Sequence, residues 1–375
     1  MGSYRVDWKL RCCLLTLGVF VLFAGAAPAG AASARSSELE KVIDGAKREG
    51  VIKLQWLGGR LDGEVGLRPM IAAMNNMYGT NVKLQFTPGQ DFPMMLNKVI
   101  QENSAGVPAT SDIVLLVSNN VGEGMKAGVL KKMNWASILE RPAPSGANVN
   151  RISPGGFAVM IASRIAGITY NSNQVKGADI PTSMEDVFNP KWKGKIASTT
   201  FATGFYHFAP KDVLGYEVVK NYVQRLAKQI GGLIACNAVD RISSGEFAML
   251  IFDCGQDDAL RYQKRGAPVA FTTIKEASRI NFQYMGIPVN AEHPNAAALF
   301  VNFLNTREGQ ALQWEHARHD LHIYPESETR KLVEKVLATK GKLALDTVER
   351  DEELGHEEIS RFRDEFIKIL KEGGR

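Results

Sequence analysis

Apolar and polar positions along the chain change period repeatedly, and each change marks an element. Residues 38–49 place Leu39, Val42, Ile43 and Ala46 on one helical face, and Gly50 stops the run. Residues 51–56 read as the first strand, followed by the loop Leu57-Gly58-Gly59-Arg60. Helices over 67–77 and 91–103 flank a second strand at 81–86, and 112–116 forms a third. The run 157–170 is mostly apolar, with Gly167 as an interruption and an Asn-rich turn at 171–173, so it predicts two successive short strands. Thr182 or Ser183 caps a short helix over 184–188. Asn189-Pro190 ends it, because a residue before proline is pushed out of the helical region. Further on, 196–199 and 247–252 read as strands, and 216–227 as a helix with Val218, Tyr222 and Leu226 on one face. The charged segment 326–375 reads as amphipathic helices that dock through Phe362, Phe366, Ile367 and Leu370.

Strands that alternate with helices predict an α/β protein, and 375 residues are too many for one ordinary core. The apolar content of 45% and charged content of 23% are those of a soluble globular chain. A formal net charge of +5, with no cluster of five basic residues, gives no reason to expect nucleic acid as a partner. The N-terminus sets the compartment. Arg5, Lys9 and Arg11 precede an apolar run over 12–27, and Ala32-Ser33-Ala34 offers a small-residue cleavage site. That is the pattern of a cleaved signal peptide over 1–34, and the run is short for a membrane span. Cys12 and Cys13 start the run and so do not follow it as a lipidated cysteine would. The mature chain is expected to be soluble, periplasmic and monomeric, with a net charge of +3. It keeps two cysteines, Cys236 and Cys254, as a disulfide or as two separate buried thiols.

The order of motifs carries a resemblance. The stretch from Gly155 to Ser198 runs strand, Tyr-Asn turn, Pro-Thr-Ser-Met-Glu-Asp helix, Asn-Pro-Lys-Trp-Lys-Gly-Lys, strand. The phrase SSGEFAMLIFDCGQDDALRYQKRGAPVAF and the segment from Met285 to Gln310 continue in the same vein. Together they resemble the solute-binding proteins of ABC importers, in the type 2 periplasmic-binding-protein group that includes ferric-ion, thiamine and polyamine binders. The resemblance covers most of residues 38–310. It implies a two-lobed α/β fold, each lobe a mixed sheet flanked by helices, hinged by crossing strands. The implied division is lobe 1 over 35–162, lobe 2 over 163–270, and a return to lobe 1 over 271–375 that includes the C-terminal helices. The implied role is capture of a small molecule between the lobes and its delivery to an inner-membrane ABC permease.

No nucleophile elbow and no His-Glu-x-x-His motif is present, so the expectation is a binder without catalytic residues, cofactor or metal. His316, His319 and His322 are read as a solvated helix end, not as ligands. Ferric-ion binders of the group coordinate metal through adjacent tyrosines, and this sequence has no Tyr-Tyr pair. The expected solute shell is the set of loops at the carboxyl ends of the strands, where open α/β sheets place ligands. It comprises Trp56, Gly58, Ser118, Asn119, Arg164, Thr199, Thr200, Thr203, Cys254 and Gln256. Arg164 is the only charge in the run 157–167 and predicts an anionic solute, unless a protein acid such as Asp253 faces it. The alternatives are a cationic solute of the polyamine or thiamine type, a metal ion, or a sensor that signals to a membrane receptor.

Overall fold

The computed structural model describes residues 35–373. The signal-peptide reading of 1–34 therefore lies outside the described residues. The chain opens with α1 (Ser37–Glu49), β1 (Val51–Trp56), α2 (Gly63–Tyr78), β2 (Lys83–Pro88), α3 (Phe92–Ser104), β3 (Val114–Leu116), α4 (Ser118–Lys126), α5 (Trp135–Ile138) and β4 (Ala158–Ile165). Its middle gives β5 (Gly167–Asn171), β6 (Ile196–Thr199), α6 (Phe205–Phe208), α7 (Tyr216–Ala227), β7 (Ile230–Ile234), α8 (Val239–Ser243), β8 (Met249–Asp253), α9 (Gln256–Lys264) and β9 (Val269–Thr272). It returns through β10 (Ala277–Gly286), α10 (Pro294–Leu304), α11 (Arg307–Ala317), α12 (Glu328–Ala338), β11 (Lys342–Asp346), α13 (Val348–Leu354) and α14 (His356–Gly373).

Local chemistry explains the elements that were legible. In α1 the Ser36 side chain accepts from the Leu39 N–H, and Gly50 ends the helix at φ 64°, a conformation that costs glycine little. Every residue of β4 and β5 is buried, which is why that stretch reads as continuous rather than alternating. Gly167 is needed where β5 meets β9. A Cβ there would lie 2.4 Å from the Thr272 carbonyl oxygen.

The described strands group into two lobes. In the first, β10 pairs antiparallel with β4 along one edge and with β3 on the other, while β1 and β2 form a parallel pair joined toward β3 by the Leu54–Ile113 bridge. The sheet of the second lobe has the order β7-β6-β8-β5-β9. Each lobe has its own buried apolar cluster. The chain crosses from one to the other at Ala166 and returns between β9 and β10. The Ala166 N–H donates to the Arg279 carbonyl at 2.8 Å, so the two crossings are tied to each other. Extended strands of this kind bend at a hinge without losing a core.

The C-terminal segment departs from the sequence reading in two ways. Residues 342–346 form a strand, β11, parallel to the first half of β10, where a helix was expected. The last helix does not join the first lobe. Phe362, Phe366 and Leu370 of α14 belong to the apolar cluster of the second, with Phe362 stacked on Tyr216 at 5.1 Å. The reason is apolar matching: those three positions form one helical stripe, and α7 offers the exposed flank of the second lobe's core. Each buried side chain of this size contributes about 2 kcal/mol.

Candidate functional site

The expected solute residues fall into separate groups. Trp56 at the end of β1 is fully buried, and its indole N–H has no partner. Gly58 lies in the exposed loop beyond it. The neighbouring Gly59 carbonyl accepts from Arg261 Nη1 of α9 at 2.8 Å, a contact between the lobes. On the second lobe the Thr199 hydroxyl accepts from the Thr203 N–H at 2.9 Å, closing the turn after β6, and Thr203 Oγ1 lies 3.3 Å from Cys254 Sγ. Thr200 is exposed. Cys254 is bonded to Cys236, with Cα atoms 5.6 Å apart, inside the range a disulfide spans without backbone movement.

Arg164 and Gln256, expected in the solute shell, both have protein partners. Arg164 is 5% exposed and donates through Nε to Asp257 Oδ1 at 2.7 Å, with Nη2 2.6 Å from the same oxygen. Asp258 lies 3.9 Å from Nη2. Burial works against the guanidinium charge, but Asp257, Asp258 and Asp253 outweigh it and raise the Arg164 pKa. For Asp257 burial is likewise outweighed, chiefly by Arg164 and then by His319, and its carboxyl is held far below the usual range. The partner is therefore Asp257 rather than Asp253, and it occupies Nε and Nη2 of the fork. Gln256 is a strut: its Oε1 accepts from the Ile165 N–H at 2.8 Å and its Nε2 donates to the Arg318 carbonyl at 3.1 Å.

The histidines are also placed differently. His319 and His322 are buried, not on a solvated helix end. α11 stops at Ala317, and Arg318 at φ 57° turns the chain back beneath β4. There His322 Nδ1 meets Ser163 Oγ at 2.7 Å, and His319 Nδ1 lies 3.8 Å from Asp257. Burial lowers the pKa of both, that of His322 to about 4. Among the described residues, no three His, Cys, Asp or Glu side chains are grouped to hold a metal.

Ser118 leads to a cluster that the sequence reading missed. Its hydroxyl donates to Asp346 Oδ1 at 2.6 Å, and the Arg279 guanidinium of β10 binds Asp346 Oδ2. His207 Nε2, from α6 on the second lobe, lies 3.6 Å from the same oxygen. Burial of Asp346 is outweighed by Arg279, then by His207 and Ser118, so its carboxyl stays ionised far below the usual range. His207 is pushed down to about 4 by burial and by Arg279, and so is neutral near pH 7. Asp351 goes the other way, raised to about 7 by burial and by the nearby Asp346 charge. Two cavities flank α13. One, of about 480 Å³, is lined by Tyr206 and His207 of the second lobe and by Asn148, Asp346 and Asp351. The other, of about 590 Å³, is lined by Ser118, Asn119, Glu123, Lys126 and Asp351. Of the expected residues, only Ser118 and Asn119 line these two cavities. The signal available for Asp346 was Leu343-Ala-Leu-Asp346-Thr347, a short alternation before a capping threonine.

The family model for bacterial extracellular solute-binding proteins matches residues 70–335. The chain belongs to that family. Solved structures agree on the architecture of this solute-binding protein. A substrate-binding protein of an ABC transporter from Agrobacterium tumefaciens superposes with a TM-score of 0.66 at 14% identity, covering 88% of this chain and 96% of its own. One from Bradyrhizobium japonicum gives 0.64 at 16% identity, with coverage of 86% and 99%. The spermidine/putrescine-binding protein PotD from Streptococcus pneumoniae gives 0.62 at 15% identity, with coverage of 87% and 99%. At these identities the likeness establishes the two-lobed periplasmic-binding fold. Comparison with curated proteins returned no match. The family match ends before β11, so the solute-binding protein carries β11, α13 and α14 beyond the matched segment. None of its described helices is long and apolar enough to cross a membrane.

Proposed function

We propose that the protein is the periplasmic substrate-binding component of an ABC importer. It captures one small molecule between its lobes as a monomer, closes by bending at the paired crossings, and presents the molecule to a membrane permease. The observation that carries this reading is the cavity of about 480 Å³ with walls from both lobes, a volume suited to a small solute. Its role is to bind and release, not to transform. The anion expectation no longer rests on Arg164, whose charge Asp257 neutralises. A cationic solute is a second reading, favoured by Asp212, Glu349 and Glu353 on the cavity rim, where Arg350 is the basic residue. The mature protein, screened by thermal shift against small acids, phosphonates, amines and metals, should be stabilised by one class. Small-angle scattering with that compound should then show a smaller radius of gyration. Identical scattering curves with a saturating, proven solute would overturn lobe closure.

A further inference from the structure

Asp346 ends β11, and its carboxylate lies in a cradle that other parts of the chain build. Ser118, the first residue of the nine-residue helix α4, donates to one oxygen at 2.6 Å. Arg279 reaches the other oxygen through Nε at 3.1 Å and through Nη2. The His207 ring comes from the opposite lobe. A hydroxyl at a helix start beside a planar guanidinium fork is a set that recognises carboxylate and phosphoryl groups. Here the group recognised is the protein's own.

Three further observations make this more than a structural ion pair. The cradle residues, at 118, 207 and 279, lie within the family-matched segment, whereas the carboxylate comes from the segment that follows it. A second carboxyl, Asp351, crowds the same place with Oδ2 buried and unpartnered, and the buried His207 Nδ1 also lacks a partner. The two large cavities on either side of α13 share Asp351 as a wall, so open space adjoins the cradle on both sides of the segment. The segment also spans the lobes. β11 pairs with β10, while Glu365 of α14 accepts from the Tyr216 hydroxyl at 2.6 Å and Arg350 of α13 binds Asp212.

We infer that residues 342–373 are a strap that occupies the solute site from within: the Asp346 carboxylate stands where the anionic group of a solute binds, and a small carboxylate or phosphoryl compound binds by displacing it. This rests on the solute-capture reading above and adds the chemical class of the solute. Bound solute then exchanges one anion for another at Ser118 and Arg279, which frees the end of β11 and loosens a connection between the lobes.

The test uses the full mature chain with inorganic phosphate and succinate as probes. Titration calorimetry should show Asp346→Ala binding at least one probe about tenfold more tightly than the unaltered protein, and adding Arg279→Met should remove the gain. A folded Asp346→Ala protein with no gain, or a gain that survives Arg279→Met, overturns the inference. Hydrogen exchange on the unaltered chain reads the same competition without a variant. The amides of 342–354 should exchange faster with probe present, and unchanged or slower exchange refutes displacement. The two readings fail separately. A chain that closes on an amine while 342–354 stay protected defeats the strap and leaves the importer. Anion exchange at Asp346 without any closure in scattering defeats the importer and leaves the strap.

Discussion

Replacing Arg164 with methionine should unfold the protein more readily and leave solute affinity unchanged. Arg164 is 5% exposed and Asp257 4% exposed. The substitution removes the cation and leaves a carboxylate in a site that excludes water. Breaking a buried pair from one side costs about 3–5 kcal/mol, most of it the uncompensated charge. The lower half of that range applies here. Asp257 keeps His319 at 3.8 Å, and a proton taken up by that ring offsets part of the loss. Asp258 keeps its own partner, Arg261. For a chain of this length an unfolding entropy of about 0.7 kcal/mol/K turns 3–4 kcal/mol into a fall of about 5 °C in Tm.

The assay is thermal and denaturant unfolding of the mature protein, followed by circular dichroism, beside calorimetric titration of the solute found by screening. The double variant Arg164→Met, Asp257→Leu should recover at least half of the lost stability, because removing both charges leaves nothing buried and unpaired. A variant with unchanged Tm and lost affinity would refute the reasoning and return Arg164 to the solute shell.

Two further outcomes follow from the same structure. Reduction of the Cys236–Cys254 bond, which joins positions 18 residues apart, should lower unfolding stability by about 3 kcal/mol; a denaturant midpoint unmoved by reductant contradicts this. Asp351 has a folded pKa raised to about 7 by burial, then by Asp346 and Glu352, with Ser118 and Arg279 opposing. Because that value lies above the unfolded one, its contribution is full below about pH 4 and is lost as pH rises through about 7. Asp351→Asn should therefore lose less stability than the unaltered protein between about pH 5 and about pH 8. Equal losses, measured as Tm against pH, would show that Asp351 is not the group responsible. Asp253, also raised to about 7 by burial against the Thr169 bond, leaves a remaining slope in both proteins.

The fold was largely legible because its signals are local. α1 has its cap, stripe and stop within fifteen residues, and β1 and α7 have the expected bounds, although α7 buries Val219 and leaves Val218, expected on its apolar face, exposed. The apolar run through Gly167 announced two buried strands for the same reason. The site was less legible because its partners are remote in sequence. An arginine alone in an apolar strand must be paired, but its own neighbourhood does not say with what, and the answer lies 93 residues away. Ser118 finds Asp346 after 228 residues. β11 is a strand because β10 has an open edge for it, and the composition of 342–346 alone fits either period. His319 and His322 were misread because a single turn at Arg318 redirects the chain inward.

The buried Arg164 and the half-buried Arg279 show what separates a structural pair from a replaceable one. Asn281 of β10 is in register with Arg164 on one side and with Asp346 on the other, so the two ion pairs lie on either side of the same strand. Arg164 meets Asp257 in the first turn of α9, next to Gln256, which is itself bonded to β4 and to the chain after α11. Moving Asp257 would disturb three elements at once, and it lines neither of the two cavities beside α13. Arg279 meets a carboxylate at the end of a five-residue strand, with a cavity on each side of the helix that follows. Only the second pair can exchange its anion for one from solution without dismantling the hinge. That difference in anchorage, rather than burial or charge alone, is why the solute's anionic group is assigned to Arg279 and Ser118.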